Sequence, residues 1–534
     1  MHRDLIFQSR TTQSIKHDWR KPKNVARCLL TVAWCLVSTP VLLSQVPQTP
    51  SPPSPQASQL PLSGRTAQSG SVSTTQAGVP GTTTSVNTIN PTVQIQGPFT
   101  GSTLSTARLP FTGRLSFREA IERGTDFNLG AIGLTNTVRQ SRGQARTARS
   151  VLLPNVSANF TEMVEQLDLA ASGLGMRSIG GFSAPTIVGP FNLFDARASL
   201  TQTVLDLTAL NNYRAAKEVS RANELTADDA RDLVVLAVGA TYLQVIASRA
   251  RVQAARAQLD TANALYQQTA QQRGVGLVSQ IDLNRSQVQA LTQQQRLVTL
   301  QNDLSKQKIT LARLTGLPPT DNYDITEDVP FSAAPPLTLE EALRQAFEQR
   351  SDLKAAEAQL KAADRARAAA RSERLPSVSL RADYGIIGTN PSQSHGTFTF
   401  AATVHLPIWQ GGRTEGNIEQ AEAAFGQRKA EMEDVRGRIE TEVRNAYLDL
   451  QAATSQVDVA QKNVQASTQN LELTRQRFEA GVSDNVEVVQ SQEGLSSAQL
   501  DYINSVFAHN LAKLSLARAI GKAAANLSQF LKLQ

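Results

Sequence analysis

The sequence predicts a duplicated, mixed fold in which short two-faced strands lead into very long antiparallel helical hairpins. Three observations carry this: similar segments recur at fixed offsets, four short segments alternate with period two, and proline-free heptad runs are too long for a globule.

The duplication is read residue by residue. Leu115–Ile121 resembles Leu337–Leu343, and Pro154 is followed by the same pattern as Pro376, both at an offset of 222. Tyr242 and Tyr447 lie 205 apart (447 − 242), and the same shift relates Gly276 to Gly481 and Leu311–Gly316 to Leu516–Gly521. The first copy therefore carries about 17 extra residues near 165–190 (222 − 205). The expected organisation is a first repeat over 113–320 and a second over 337–521, joined by a linker at 321–336 and followed by a tail at 522–534.

The beginning of the chain reads as an export signal over 1–45. Arg20, Lys21, Lys23 and Arg27 precede the apolar run Cys28–Val37, which is too short for a confident membrane span. Both cysteines, Cys28 and Cys35, lie in this leader, so a processed chain would hold no thiol or disulfide. Residues 46–112 are rich in Pro, Ser, Thr, Gln and Gly, and are expected to form a disordered linker.

Each repeat is expected to open with a helix, from 115 to about 148 and from 337 to about 371. A β-hairpin follows, over about 154–205 in the first copy and 376–409 in the second. In the second, Val378, Leu380, Ala382, Tyr384 and Ile386 share one face, and Phe398, Phe400, Ala402, Val404, Leu406 and Ile408 share another. Val156, Ala158, Phe160 and Val164 form a weaker strand in the first, paired with Phe194, Ala196, Ala198 and Leu200. Such alternation suits a membrane β-barrel and equally an ordinary half-buried sheet. Four strands cannot close a barrel alone; two or more chains would be needed, and three would give twelve strands.

The remainder of each copy is helical. Coiled-coil hairpins are expected over about 207–314 and 412–519, with no proline between Pro190 and Pro318 or after Pro407. Val443, Ala446, Leu450, Ala453 and Val457 step by three and four along a heptad seam, as Leu236, Ala240, Leu243 and Ala247 do in the first copy. The outgoing helix would be about 100 Å long at 1.5 Å per residue, a rod or a tube wall.

Composition and motifs exclude much else. The net charge of +7 is spread along the helices without a dense basic run, and aromatics are only 5%, so nucleic-acid binding is disfavoured. His395, His405 and His509 make no metal-ligand spacing. Gly274-Val-Gly276 lies between helices and is a turn, and Ser351-Asp-Leu-Lys354 lacks the partners of a nucleophile motif. No catalytic constellation, metal site or cofactor site is found, and no enzyme is expected.

At this point the residues resemble a known family. Strand, strand and long helical hairpin, given twice behind an export signal, resembles the TolC-type outer-membrane efflux proteins of Gram-negative bacteria. The likeness covers 115–521 and rests on the Leu-Pro-Asn-Val-Ser and Leu-Pro-Ser-Val-Ser strand starts, on Leu406–Gly412, and on two hairpin tips, Val275–Leu283 and Ala480–Val488. Thr203–Asp206 departs from it, lacking the proline of Leu406-Pro407.

The resemblance implies a homotrimer with a twelve-stranded β-barrel in outer-membrane lipid above a periplasmic α-helical tunnel. It implies a passive exit duct that works with a periplasmic adaptor protein and an inner-membrane transporter. The adaptor would touch the tips at Gly276, Leu277, Val278 and Gly481, although glycines at helix reversals also serve simply as turn residues. A pore constriction is implied at Glu487, with Gln490 uncharged at a second acidic position of the family; a solvated helix-face carboxylate is the other reading of Glu487. The implied gate involves Asp282, Phe478, Ile281 and Ser483, but Phe478 stands where the family has a tyrosine. Asp282 is therefore left with Arg273, Arg475 or Arg477 as candidate partners. The alternative function from another class is a soluble periplasmic coiled-coil scaffold.

Overall fold

Alternating strand residues, heptads and capping residues lie along the chain in the order of its elements. The computed structural model describes residues 70–79, 88–104, 111–169, 171, 186–320, 322–334, 336–521 and 523. All of them fall within the unit Thr66–Gln534. The expected leader, most of the tail and most of the extra segment near 165–190 lie outside the described residues.

A hairpin of β1 (Val72–Val79) and β2 (Thr88–Ile95) comes first. Then follow β3 (Arg114–Leu115), α1 (Phe117–Phe127), α2 (Leu129–Ser150), β4 (Asn155–Asp168), β5 (Ile187–Leu205), α3 (Leu207–Gly274) and α4 (Gln280–Leu314). The rest is β6 (Asp324–Ile325), α5 (Leu339–Gln349), α6 (Ser351–Ser372), β7 (Ser377–Gly388), β8 (His395–His405), α7 (Arg413–Glu479) and α8 (Asn485–Ala519). Corresponding helices match in length: 11 and 11, 22 and 22, 68 and 67, 35 and 35 residues.

The segment 46–112, expected from its composition to be a disordered linker, contains the paired strands β1 and β2. Its few apolar side chains are used: Val72 and Phe99 are buried, and Val93 and Ile95 pack against the same core. That core is supplied by α1, α3, α4 and α8, so the hairpin needs little apolar surface of its own. Thr74 Oγ1 meets Ser515 Oγ of α8 at 3.0 Å.

The opening helix of each copy is also two helices rather than one. The breaks fall at Asn128 and Arg350, which stand at the 222-residue offset (350 − 128). Asn128 caps α2 by accepting from Gly130 N and donates to the Phe99 carbonyl at 2.9 Å. Arg350, 2% exposed, holds Asp352 at 2.7 Å and Glu442 at 2.6 Å.

Side-chain seams join the long helices. Val443, Ala446, Leu450, Ala453 and Val457 are buried along α7, and Leu236, Ala240, Leu243 and Ala247 along α3, at the heptad positions read from the sequence. Near the tips the helices lie in the order α4, α3, α8, α7, and nearer the sheet in the order α2, α3, α6, α7. In both layers α7 is an outer helix. An apolar stretch within α3 has the length and composition of a membrane span but is mostly buried by its neighbours.

One four-stranded antiparallel sheet has the order β4-β5-β7-β8. Its strands in the first copy run further than expected, to Asp168 and from Ile187. In the second copy β8 stops at His405, before Leu406 and Ile408, because Pro407 has no N–H to offer a ladder. A loop then passes Gly411 and Gly412, both at positive φ, before α7. Thr203–Asp206 lacks that proline: β5 continues to Leu205, and Asp206 caps α3 directly by accepting from Ala209 N at 2.9 Å.

Candidate conduit surfaces: the strand face and the hairpin tips

The sheet register puts the alternating residues of all four strands on common faces. Ala158, Ala198, Tyr384 and Phe398 stand in one row, and Val156, Leu200, Ala382 and Phe400 in the next. Phe160 is 78% exposed and Phe398 79%, so the described residues leave this apolar face uncovered. The opposite face carries Ser157, Ser199, Asp383 and Thr399 in one row and Asn159, Arg197, Gly385 and Thr397 in another. There Arg197 binds Asp195 at 2.7 Å and Asp383 at 3.3 Å, joining strands from the two halves of the chain. An apolar face without cover and a polar, ion-paired face behind it are what a lipid-facing wall around an aqueous bore requires.

Both tips turn by the same device. Gly276 has φ of +80° and Gly481 of +71°, and each follows the helix end in the left-handed conformation. Leu277 N donates to the Gln272 carbonyl and Gly276 N to that of Arg273; Val482 N donates to Arg477 and Gly481 N to Phe478. These are paired Schellman closures, which leave the next apolar residue outside. Leu277 and Val482 are accordingly exposed. Val278, expected to be exposed, is half-buried because it lies on the inner side of the turn, next to the Ser279 cap.

Asp282 and Glu487 occupy the same place in the two tips (282 + 205 = 487) but have different partners. Asp282 closes a capping box: its carboxylate accepts from Ser279 Oγ at 2.6 Å and from Ser279 N, and Ser279 Oγ accepts from Asp282 N. Its ion pair is Arg285 at 3.6 Å, not Arg273, Arg475 or Arg477, because the cap fixes the carboxylate beside its own first turn. Asp484 takes the cap in the second tip, accepting from Val486 N and Glu487 N. Glu487 is thereby released from capping and reaches Arg477 at 3.4 Å.

The other candidate residues are dispersed about this end. Phe478 is half-buried against Leu265, Leu471 and Val488. Ile281 and Gln490 are exposed, and the Ser483 hydroxyl is buried without a hydrogen-bond partner among the described residues. Asn485, which the sequence did not single out, links the tips by donating to the Asp282 carbonyl at 3.2 Å. The structure brings Asp282, Asn485 and Ser279 together, and Arg477 with Glu487.

The family model described as "Outer membrane efflux protein" matches residues 136–317 and 342–522. The antibiotic efflux pump outer membrane protein ArpC of Pseudomonas putida is 25% identical over 395 residues, covering 71% of this chain and 77% of that protein. Outer membrane protein OprJ of Pseudomonas aeruginosa is 26% identical over 427 residues, covering 76% and 83%. In fold, the chain is similar to the solved structure of the outer membrane protein VceC of Vibrio cholerae, with a TM-score of 0.66 at 19% identity over 76% of this chain and 96% of that one.

Proposed function

Since this chain belongs to the outer membrane efflux protein family, we propose that it is the outer-membrane exit duct of a tripartite efflux or type I secretion system. It passes solutes passively from an inner-membrane transporter, across the periplasm and the outer membrane of a Gram-negative bacterium, with a periplasmic adaptor docked at the tips.

One observation carries this reading: the protomer is an open strip with unlike edges at every level. Its sheet ends in β4 and β8, and its helical layers end in α4 or α2 on one side and α7 on the other. Apolar side chains stand exposed along both helical edges, Val288, Leu291 and Val298 on α4 and Leu448, Val459 and Leu473 on α7. Unlike edges pair head to tail, and head-to-tail pairing closes into a ring when the rotation from copy to copy completes a full turn. A homotrimer then has a twelve-stranded barrel, with the face of Phe160, Tyr384 and Phe398 in lipid and the face of Arg197 and Asp383 toward water. A soluble scaffold would have to cover that apolar face, and none of the described residues does so.

In this arrangement Glu487 and Gln490 line the narrow periplasmic end, and Asp282, Phe478, Ile281 and Ser483 surround the closure. The exposed Leu277, with Val278, Gly276 and Gly481 behind it, meets the adaptor. Substituting Leu277→Asp together with Val278→Asp should abolish efflux in a susceptibility assay without lowering trimer yield. Normal efflux in that variant would refute the adaptor contact, and recovery of the native protein as a water-soluble monomer would refute the duct.

A further inference from the structure

The two repeats meet along one junction inside the chain: β5 on β7 in the sheet, α3 on α6 nearer the sheet, and α3 on α8 nearer the tips. Each of these pairs joins an element of the first repeat to one of the second. Shifted by one repeat, α3 becomes α7, while α6 and α8 become α2 and α4. Those are the helices left at the edges of the protomer. The internal junction is therefore a template for the contact between one copy of the chain and the next.

Polar side chains hold α3 to α8. Asp229 binds Arg518 at 2.6 Å, with side chains only 17% and 11% exposed. Gln258 Nε2 donates to Gln499 Oε1 at 3.0 Å, and Arg251 donates to Asn504 Oδ1 at 2.7 Å. The 205-residue offset carries Asp229 to Asp434 (229 + 205) and Arg518 to Arg313 (518 − 205), so both charges recur. Their surroundings recur as well: Asp228-Asp-Ala-Arg231 corresponds to Glu433-Asp-Val-Arg436, and Leu516–Gly521 to Leu311–Gly316. Gln258 and Gln499 become Asn463 and Gln294, again two amides, whereas Arg251 and Asn504 become Gln456 and Thr299.

Asp434 of α7 and Arg313 of α4 lie on opposite edges of the helical layer, with α3 and α8 between them. Both are exposed, and neither has an ion pair or side-chain hydrogen bond among the described residues. The other charged groups near Asp229, which are Asp232, Arg350 and Asp352, do not recur; their positions are taken by Gly437, Asn128 and Gly130. Arg313 is thus the one member of that cluster left to face Asp434.

We propose that Asp434 of one copy pairs with Arg313 of the next, with Asn463 and Gln294 as an amide contact nearer the tips. The chain then recognises a second copy of itself through the contacts that join its own halves. This rests on the head-to-tail ring proposed above and assigns the residues that select its register. Opposite charges on the two edges favour α7 against α4 and disfavour like edges, which is how charge at an interface sets specificity.

The test uses the full-length protein purified as its assembled oligomer in detergent, with dissociation to monomers followed over time on mild gels. Arg313→Glu and Asp434→Arg should each speed dissociation at least about tenfold, because each sets like charges against one another. Both reversals in one chain should bring the rate back to within about threefold of the native value, since every junction then carries the pair with its signs exchanged. As a second measurement, Arg313→Lys treated with a carbodiimide should form an amide with the Asp434 carboxyl of the next copy, the reagent leaving as its urea. A covalent multimer absent from the native protein should result, and adding Asp434→Asn should remove it. Indifference to both single reversals, a double variant no slower than the worse single one, or a cross-link that is missing or survives Asp434→Asn would each overturn the pair and leave the ring standing. A native chain recovered only as a monomer would overturn the ring itself, and the pair with it.

Discussion

Arg477 and Glu487 face each other across the second hairpin tip at 3.4 Å, one at the end of α7 and the other in the first turn of α8. The pair exists because Asp484 has taken over the capping role that Asp282 fills, with Ser279, in the first tip. Both partners are about half exposed, so the pair adds little to stability. Its consequence is electrical: a carboxylate at the proposed constriction carries its own counter-charge.

Two substitutions therefore act in opposite directions on single-channel selectivity. Arg477→Ala should raise preference for cations by unmasking Glu487, and Glu487→Gln should lower it. Unchanged reversal potentials in both variants would remove Glu487 from the bore.

Arg350 sits in the break between α5 and α6, with hydrogen bonds to Asp352 and Glu442. Arg350→Met leaves Asp352 without its partner in a mostly buried position and should cost about 3–5 kcal/mol, read as a lower unfolding midpoint in denaturant. Burial alone would raise the Asp352 carboxyl, but the hydrogen bonds and charge of Arg350 outweigh it and hold that carboxyl below its usual range. A depressed carboxyl stabilises the fold above its unfolded value, about 3.9, and that contribution is lost as pH falls through the folded value. Acid sensitivity below about pH 4 should therefore be smaller in Arg350→Met than in the native protein.

His509 of α8 lies buried against the linker, 3.1 Å from the Ser332 carbonyl and 3.3 Å from Thr454 Oγ1 of α7. Burial lowers its proton affinity; the Ser332 carbonyl opposes this, and the nearby Lys513 ammonium adds to it. The folded chain thus resists a proton that the unfolded chain accepts below about pH 6.5, so stability is full above that value and falls as pH drops beneath it. The slope is at most about 1.4 kcal/mol per pH unit per chain. Thermal unfolding of His509→Gln should be flatter than that of the native protein between pH 7.5 and 5.5; parallel curves would show that His509 does not titrate on unfolding.

The long hairpins were legible because their energetics are local and periodic: a seam such as Val443, Ala446, Leu450 fixes a helix face without reference to anything distant. The strand faces were legible for the same reason, since Phe398, Phe400 and Ala402 can share only one side of a sheet. The break at Asn128, a capping residue between Gly124 and Gly130, carried a signal that the reading missed, whereas no proline or glycine interrupts the helical pattern around Arg350. Burial of its guanidinium between α7 and α8 decides the break. Likewise β1 and β2 are too poor in apolar residues to announce themselves, and their core is borrowed from helices hundreds of residues away.

At the tips, sequence identified the turn glycines and both carboxylates but not their partners. Arg273, Arg475, Arg477 and Arg285 are all within reach of a carboxylate when counted along the chain. Which of them meets Asp282 depends on the capping box, visible as Ser279 three residues before Asp282. The substitution of Asp484 for that serine in the second copy was the available signal that Glu487 would be free to pair elsewhere.

The central claim is that copies of this chain join head to tail through β4 and β8. With Cys28 and Cys35 replaced by Ser, cysteines at Ser157 or Asn159 on β4 can be combined with cysteines at Thr397, Thr399 or Thr403 on β8. Within one chain these strands are separated by β5 and β7, so their Cα atoms are about 14 Å apart at the usual strand spacing, too far for a disulfide. Oxidation in outer membranes should give, for one register of pairs, a covalent ladder that ends at the closed trimer. Absence of any cross-link between chains, or a ladder that runs on past three, would contradict the account.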